Sequence, residues 1–462
     1  MNNFHLIKKW VLYTFLYIVT IGILISLLLG TPNEQNTHPI FREFIIIFAT
    51  VLLTKYFIYM TVSPWYDVLL QRKRRTQQKN RRDFTIFQPR VSVVVPAWNE
   101  EVGILNTIKT ILASTYRNVE IIVINDGSVD RSHVLIRNFL NEYERVTPKN
   151  SEKIDILYRY RLNGGKGRAL NEGILISTGE IIISIDADCA LRPDTIGNFV
   201  RHFEDKRVMA AVGNVKIGNT KSILGTLQYL EFLFSFYFKK ADSLFNSIYI
   251  IGGAAGAFRR EVFEKIGLYN QHNITEDIDL SVRIQDAGMR IVYAADAVVY
   301  TEGATTIEGL MKQRLRWKRG RFKTFSDHRH LFFSSQPHHN RILTWIVLPL
   351  AIFGDMQLFF EVIFLGFLYI YALATHDFSS FISGIMVVSS MFFVQIFDDR
   401  SARRWSLYIL APIGWLLFYL TTFVEYSALI KSIWGLFTQQ KIEWQRWNRS
   451  GCLDDKTVLQ IK

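Results

Sequence analysis

The chain is poor in cysteine, with Cys189 and Cys452 the only two in 462 residues. They stand far apart and lack metal-ligand spacing, so the sequence offers neither a disulfide framework nor a cysteine zinc site. Such usage fits a reducing cytoplasm. Internal repeats and low-complexity tracts are missing too, which argues against a repeat array. A cleavable signal peptide would need a short apolar core and a small-residue cleavage site, and neither occurs before Thr31. The glycine-rich run Asn163-Gly-Gly-Lys-Gly-Arg lacks the Walker spacing, which excludes a P-loop ATPase.

Apolar residues are abundant instead. At 49% hydrophobic and 14% aromatic, the chain is too greasy for a purely soluble protein of its charge. The excess sits in blocks. Trp10 to Leu29 and Phe44 to Val62, the latter interrupted by Lys55, are each long enough to cross a bilayer. Lys8 and Lys9 precede the first block, and Arg72, Lys73, Arg74, Arg75, Lys79, Arg81 and Arg82 follow the second. The loop between holds little positive charge, so both outer ends are expected on the cytoplasmic side. The formal net charge of +13 then reflects juxtamembrane lysines and arginines lying against anionic headgroups. Because the basic run abuts a membrane span, no nucleic-acid partner is expected.

The last third is apolar again, in Ile342 to Tyr371, Phe378 to Phe397 and Ser406 to Ile430. Asp355 and Glu361 within the first of these are costly at membrane depth unless they face protein or water. Arg400, Arg403, Arg404 and the tail cations Lys441, Arg446 and Arg449 all read as cytoplasmic, although one clear span separates the two groups. Either the Pro412 and Gly414 region re-enters the membrane or the tail lies outside.

Between the apolar blocks, strand and helix signals alternate. Val91 to Val95, Val119 to Ile124, Ile154 to Tyr158 and Glu180 to Ile185 predict strands, and Glu101 to Leu112, Ser128 to Leu140 and Lys166 to Ser177 predict helices. That order implies parallel pairing with right-handed crossovers in a nucleotide-binding α/β sheet. A helix is expected to open at Pro193, and the aromatic stretch Leu224 to Phe238, with Gln228 and Glu231, reads as a helix lying along the membrane or in a core.

Ligands of such a sheet gather at the strands' C-terminal edge. Asp186 and Asp188 leave one strand there, and hard oxygen ligands at this spacing suit Mg²⁺ or Mn²⁺ on a diphosphate. Val95-Pro-Ala-Trp-Asn-Glu-Glu101, with Pro96 and Glu100, leaves another, and Asn125-Asp-Gly-Ser128, with Asp126, a third. Both are positioned to meet a nucleotide, although helix capping alone accounts for such residues elsewhere. Lys166 stands at the mouth of the glycine turn, where exposed backbone and a point charge suit a phosphate. Thr275 is a candidate helix cap, with Glu276 and Asp277 in the first turn. The helix dipole favours an ionised Asp277, which suits a general base. On a further predicted helix Gln313, Arg316 and Trp317 share one face, where indole suits a sugar ring and guanidinium a phosphate. Membrane-interface anchoring is the plainer reading of that last group taken alone.

Taken in order, Asp126, Lys166 to Asn171, Asp186 with Asp188, Thr275 to Asp277, and Gln313 to Trp317 resemble the processive branch of family 2 glycosyltransferases, which includes cellulose, hyaluronan, chitin and poly-N-acetylglucosamine synthases. The resemblance covers roughly residues 85 to 330. It implies a GT-A fold on the cytoplasmic face, a UDP-sugar donor, Mg²⁺ or Mn²⁺, and inversion at the anomeric carbon. By resemblance, Asp126, Asp186 and Lys166 contact the uridine diphosphate, Asp188 and Asp186 hold the metal, and Asp277, with Glu276 beside it, supplies the base. Pro96 and Glu100 line the donor site, and Gln313, Arg316 and Trp317 the acceptor end.

Within the branch, two N-terminal spans and Gly252-Gly-Ala-Ala-Gly-Ala-Phe-Arg-Arg260 are most similar to poly-β-1,6-N-acetylglucosamine synthases. Cellulose synthases typically read Phe-Phe-Cys-Gly there, and hyaluronan synthases Gly-Asp-Asp-Arg at Thr275. Trp98 takes the place of a common tyrosine.

The expected organisation is two transmembrane helices in 1–70, a basic linker in 71–90, a cytoplasmic GT-A domain in 91–330 inserted between membrane segments, about three spans in 331–435 and a tail in 436–462. The expected protein is a multi-pass cell-membrane enzyme extending a polysaccharide, with UDP-N-acetylglucosamine as donor. Its partners are the growing chain and the bilayer, with room for a small membrane accessory subunit. Transfer of a single sugar to a lipid or short acceptor, and a hyaluronan- or cellulose-like synthase with another donor, remain open. So does a sugar- or nucleotide-sensing receptor, against which the full carboxylate set argues.

Overall fold

In the computed structural model, the described residues are Thr14, 56–75, 87–146, 153–376, 378–399, 402–403 and 405–438. All of the first expected membrane helix but Thr14, most of the second, the linker cations Lys79, Arg81 and Arg82, Arg400, Arg404, the tail cations and Cys452 lie outside them. The described residues form two compact units. One comprises 56–72, Leu233–Ala241 and Phe353–Ser427, and the other Lys73–Phe232, Asp242–Ile352 and 428–438.

The second unit is built on one mixed sheet. Its strands are β1 (Val91–Ala97), β2 (Val119–Asp126), β3 (Asp155–Arg161), β4 (Ile181–Ser184), β5 (Ala190–Leu191), β6 (Val208–Ile217), β7 (Gly256–Arg259) and β8 (Arg290–Thr301), in the order β3-β2-β1-β4-β7-β6-β8-β5. β1, β2 and β4 are buried throughout, as strands covered on both faces must be, and their sequences are near-continuous runs of Val and Ile. The first half is parallel, with Val91 opposite Val119 on one side and Ile181 on the other. This register aligns the ends of β1, β2 and β4. β7 then enters antiparallel between β4 and β6, a reversal that strand-helix alternation did not foretell.

The expected helices occur with shifted ends, at Ile104–Leu112, Ser132–Val146, Lys166–Ile176 and, after Pro193, Thr195–His202. The aromatic stretch is one helix, Ile223–Leu244. Helix Glu276–Asp286 places Ile278 and Val282 in an apolar cluster with Phe325, Leu331, Leu343, Val347 and Leu348. That cluster fastens it beside helix Ile307–Asp327. Gly320 is essential to the approach: a Cβ there would lie 2.2 Å from the Cγ2 and Oγ1 of Thr275.

In the first unit, residues 56–72 are helical and pack Tyr56 and Tyr59 against Phe238, with ring centroids 5.8 and 5.0 Å apart. Lys240 is buried between Asp67, at 2.9 Å, and Asp398. The C-terminal apolar segments form Leu348–Thr375, preceded by a π-helical turn at Leu343–Val347, then Ser379–Asp398, Trp405–Leu410 and Gly414–Phe437. Among the described residues, only Leu343–Ala374 is one continuous helix long and apolar enough to cross a membrane. The last segment is bent by 50° between its arms Trp405–Leu416 and Tyr419–Gly435, past the Pro412 turn, and it reaches that length only if both arms count together. In the middle helix, the apolar part is the shorter Ile385–Asp398.

Candidate active site

Four loops converge at the C-terminal edge of β1, β2 and β4. The loop after β1 and the loop after β2 are latched to each other. Asn99, held at φ 56°, donates its backbone N–H to Ser128 Oγ at 2.9 Å, and its side-chain oxygen accepts from the N–H of Val129 at 2.7 Å. The Glu100 N–H donates to Ser132 Oγ at 2.9 Å, and the Glu100 carbonyl starts the next helix by accepting from Ile104. Pro96 sits within β1 opposite Ile124, one residue before the strand ends at Ala97. The polar residues of this motif thus build the loops.

Asp126, buried at the end of β2, accepts from the N–H groups of Gly164 at 3.0 Å and Gly165 at 2.7 Å and lies 3.4 Å from Arg161 Nε. Its neighbour Gly127 has φ 73°, and a Cβ there would meet the backbone N of Asn163 at 2.6 Å. The Asn-Asp-Gly motif therefore holds the glycine turn, and the turn opens the helix that starts at Lys166.

Lys166 is where the separate motifs meet. Its Nζ lies 2.6 Å from Asp186 Oδ1 and 3.4 Å from Glu276 Oε1. Burial alone would lower its pKa, but the fields of Asp186, Glu276 and Asp277 outweigh that and hold it above the ordinary lysine value. Glu276 is shifted upward as well, but in its case burial is the leading cause. Burial raises its carboxyl, and the neighbouring Asp277 adds to the rise while Lys166 and Arg316 oppose it.

Asp277 is oriented from two directions. Oδ2 accepts the N–H of Gly253 at 2.9 Å, and Oδ1 accepts its own following N–H, that of Ile278, at 2.9 Å. A Cβ on Gly253 would stand 2.4 Å from Lys166 Nζ and 3.6 Å from Asp277 Oδ2, so the bare glycine is what lets lysine and aspartate approach. Thr275 occupies the cap position, but its hydroxyl bonds to Asn273 Oδ1 at 3.2 Å and does not cap the helix. The expected capping role falls away because Gly320 and helix Ile307–Asp327 press on the threonine side chain. Asp277, through its bond to the Ile278 N–H, satisfies a first-turn donor instead.

Asp188 is buried, 3.5 Å from both Cys189 Sγ and Thr301 Oγ1. Its loop rests on the helix after β1, where a Cβ on Gly103 would lie 3.1 Å from Asp188 Cα. With Asp186, Glu276 and Asp277 gathered around one ammonium and Asp188 two residues from Asp186, the donor set is rich in carboxylate oxygen. It fits a hard divalent cation such as Mg²⁺ or Mn²⁺.

On helix Ile307–Asp327, Gln313 and Arg316 are partly buried. The residue that organises this stretch is one the spacing argument passed over. Arg314 is buried, pairs with Glu231 at 2.7 Å and stacks its guanidinium 4.3 Å from the Trp317 ring centre. Glu231 on the aromatic helix was visible in sequence as a carboxylate within an apolar run. Gly253 carried no signal beyond its place in Gly-Gly-Ala-Ala-Gly.

Comparison with known proteins places the chain among glycosyltransferases. Residues 89–320 match the family described as Glycosyltransferase like family 2. A poly-β-1,6-N-acetyl-D-glucosamine synthase of Staphylococcus epidermidis is 28% identical over 285 residues, 61% of this chain and 63% of the relative. A protein of the same name from Staphylococcus aureus strain COL is 31% identical over 233 residues, 50% of this chain and 54% of the relative. The match thus spans between half and two thirds of these relatives' length. Among solved structures, the mannosyltransferase PcManGT of Pyrobaculum calidifontis, in complex with GDP-Man and Mn²⁺, superposes with a TM-score of 0.50 at 18% identity, covering 83% of this chain and 99% of that one. At that identity the likeness establishes a shared GT-A-like fold.

Proposed function

The chain belongs to glycosyltransferase family 2, and from that premise we propose that it is a membrane-embedded, inverting β-glycosyltransferase. It extends a polysaccharide from a UDP-sugar, with UDP-N-acetylglucosamine as the donor. The observation that carries this reading is the meeting of Lys166 with Asp186 and Glu276, and of Asp277 with Gly253, from segments separated in sequence by as many as 111 positions. A buried ammonium ringed by carboxylates suits a diphosphate arriving with its own cation.

In this reading Asp188 and Asp186 hold Mg²⁺ or Mn²⁺, which offsets the negative charge developing on the leaving diphosphate. Lys166 stands against Asp186 before the donor arrives and shifts its charge toward the phosphate afterwards. Asp126 sets the backbone amides of the glycine turn at the donor site, with Pro96 and Glu100 shaping its far wall. Asp277 takes the proton from the acceptor hydroxyl as that oxygen attacks the anomeric carbon from the face opposite the diphosphate, so the new linkage is β. Glu276, its charge disfavoured by burial, keeps Lys166 in register. Gln313, Arg316 and Trp317 line the acceptor end, the indole supplying a flat apolar face for a sugar ring.

The catalytic unit lies on the cytoplasmic side in 91–330, after a basic linker in 71–90. Membrane segments in 1–70 and 331–435 and a tail in 436–462 flank it, and the growing chain leaves through those segments. The likeness to synthases of the same printed name supports a polymer of N-acetylglucosamine. Incubation of the purified chain with UDP-N-acetylglucosamine and Mg²⁺, followed by sizing of the product, tests the proposal. A ladder of lengths supports polymerisation. A single addition removes the polymer, and no transfer from any UDP-sugar removes the reading itself.

A further inference from the structure

Away from this cleft, four of the chain's ten histidines fall within twelve positions, at 328, 330, 338 and 339. Three of them surround a carboxylate. Asp286 ends the helix Glu276–Asp286, His328 and His330 follow helix Ile307–Asp327, and His339 comes from the next loop. The ligand atoms of Asp286, His328 and His330 all lie within 4.8 Å of one another. His330 Nε2 is 3.0 Å from Asp286 Oδ1, and His339 Nε2 is 3.1 Å from the same oxygen.

The cluster is built from packed segments. Gly288, at φ 69°, turns the chain after the helix so closely that a Cβ would meet the carbonyl oxygen of His338 at 2.8 Å, which brings the His338-His339 loop against Asp286. Phe325 and Leu331, both in the apolar cluster, pin the turn that carries His328 and His330. The rings are also oriented from behind. Asp279 Oδ1 lies 3.2 Å from His328 Nε2, and the Ser334 hydroxyl 2.8 Å from His339 Nδ1. A carboxylate or hydroxyl behind an imidazole is the arrangement that fixes the tautomer of metal-binding histidines.

Two features call for a cation. Asp286 stands at the negative end of its helix dipole, where a carboxylate is disfavoured unless positive charge faces it. His339 Nε2 is fully buried and, despite its distance from Asp286, makes no hydrogen bond. We propose that Asp286, His328 and His330, with His339 beside them, bind one zinc-class transition-metal ion that ties together the ends of the two helices carrying Asp277 and Trp317. Imidazole nitrogens with one carboxylate suit Zn²⁺, whereas the all-oxygen set at Asp186 and Asp188 suits Mg²⁺ or Mn²⁺. The two sites are therefore separable by metal and by residue.

The test uses the full chain, purified in detergent without a histidine tag and stripped with chelator, then titrated with Zn²⁺ alone by calorimetry. The expected result is one Zn²⁺ per chain, weakened about 10- to 100-fold or more in His330→Ala and in Asp286→Asn, and unchanged in Asp188→Ala. His330 is half exposed, so its replacement tests binding with the fold intact. Asp279→Asn, which keeps the shape behind His328, is expected to weaken binding by about tenfold. Absence of Zn²⁺ binding, equal binding in His330→Ala, or loss of binding in Asp188→Ala would each overturn the proposal.

Discussion

Replacing Gly253 with alanine is the smallest change that reaches the proposed catalytic machinery. The added Cβ would sit 2.4 Å from Lys166 Nζ, about 1 Å inside ordinary contact, while Asp277 Oδ2 at 3.6 Å is left in place. The ammonium is the end of a flexible side chain, so it moves and the backbone does not. Retreat by that amount lengthens the Lys166–Asp186 contact from 2.6 Å to roughly 3.6 Å. At an effective dielectric of about 20, that weakens the attraction by about 2 kcal/mol. If the same charge serves the diphosphate in the transition state, kcat/KM falls about 30-fold. The ligand-free fold loses the same attraction, so stability falls by at most about 2 kcal/mol, with no cavity to add to it. Release of UDP from UDP-N-acetylglucosamine with Mg²⁺ present reads the first effect, and a thermal melt in detergent reads the second. Wild-type kcat/KM in Gly253→Ala would refute the reasoning, and so would a loss of turnover matched by a large fall in Tm.

Asp277→Asn keeps an acceptor for the Gly253 N–H but removes the base, so transfer is expected to fall by about 10²- to 10⁴-fold while UDP still binds by calorimetry. Loss of UDP binding in that variant would reassign Asp277 to the donor. Asp188→Ala is expected to abolish turnover through metal loss, and an unchanged Mg²⁺ dependence of the residual rate would contradict that role. Lys240→Met takes the buried ammonium away from both Asp67 and Asp398, and the predicted cost is about 3–5 kcal/mol, seen as a lower Tm. An unchanged Tm would show that the pair does not hold its helices. Burial alone would raise the Asp296 carboxyl, but His202 and Arg74 outweigh it and hold it down to about 2. A depressed carboxylate contributes stability that is present above its unfolded pKa and lost as pH falls through the folded one. Asp296→Asn should therefore cost about 2 kcal/mol at pH 7, with about half of that difference gone by pH 3. A cost independent of pH would mean that packing, and not charge, is what Asp296 supplies.

Much of the sheet was legible because its signals are local. Val91 to Val95 and Ile181 to Ile185 are too uniformly apolar for anything but covered strands, and the polar residues after them had to fall at one edge. The second half was less legible, since β7 is four residues long and its antiparallel seat between β4 and β6 is set by tertiary pairing. At the site, carboxylates announced themselves by spacing. The glycines that let them approach did not: nothing in the sequence distinguishes Gly253 from Gly252, yet a Cβ at 253 meets Lys166 and one at 252 meets nothing within 4 Å. Arg314 was hidden by the helical wheel, which selects Gln313, Arg316 and Trp317 and leaves it off their face. The partner that draws it in, Glu231, lies 83 positions away. Thr275 shows the converse error, a good cap residue whose hydroxyl is claimed by Asn273.

The account rests on one nucleotide sugar being held where Lys166, Asp186, Glu276 and Asp277 meet. A structure of the full chain determined with UDP and Mn²⁺ tests that directly. The account predicts the diphosphate beside Lys166, with Mn²⁺ bound by Asp188 or Asp186 and the Asp277 carboxylate facing the vacant sugar position. A nucleotide seated elsewhere, or Mn²⁺ bound away from both aspartates, would contradict it.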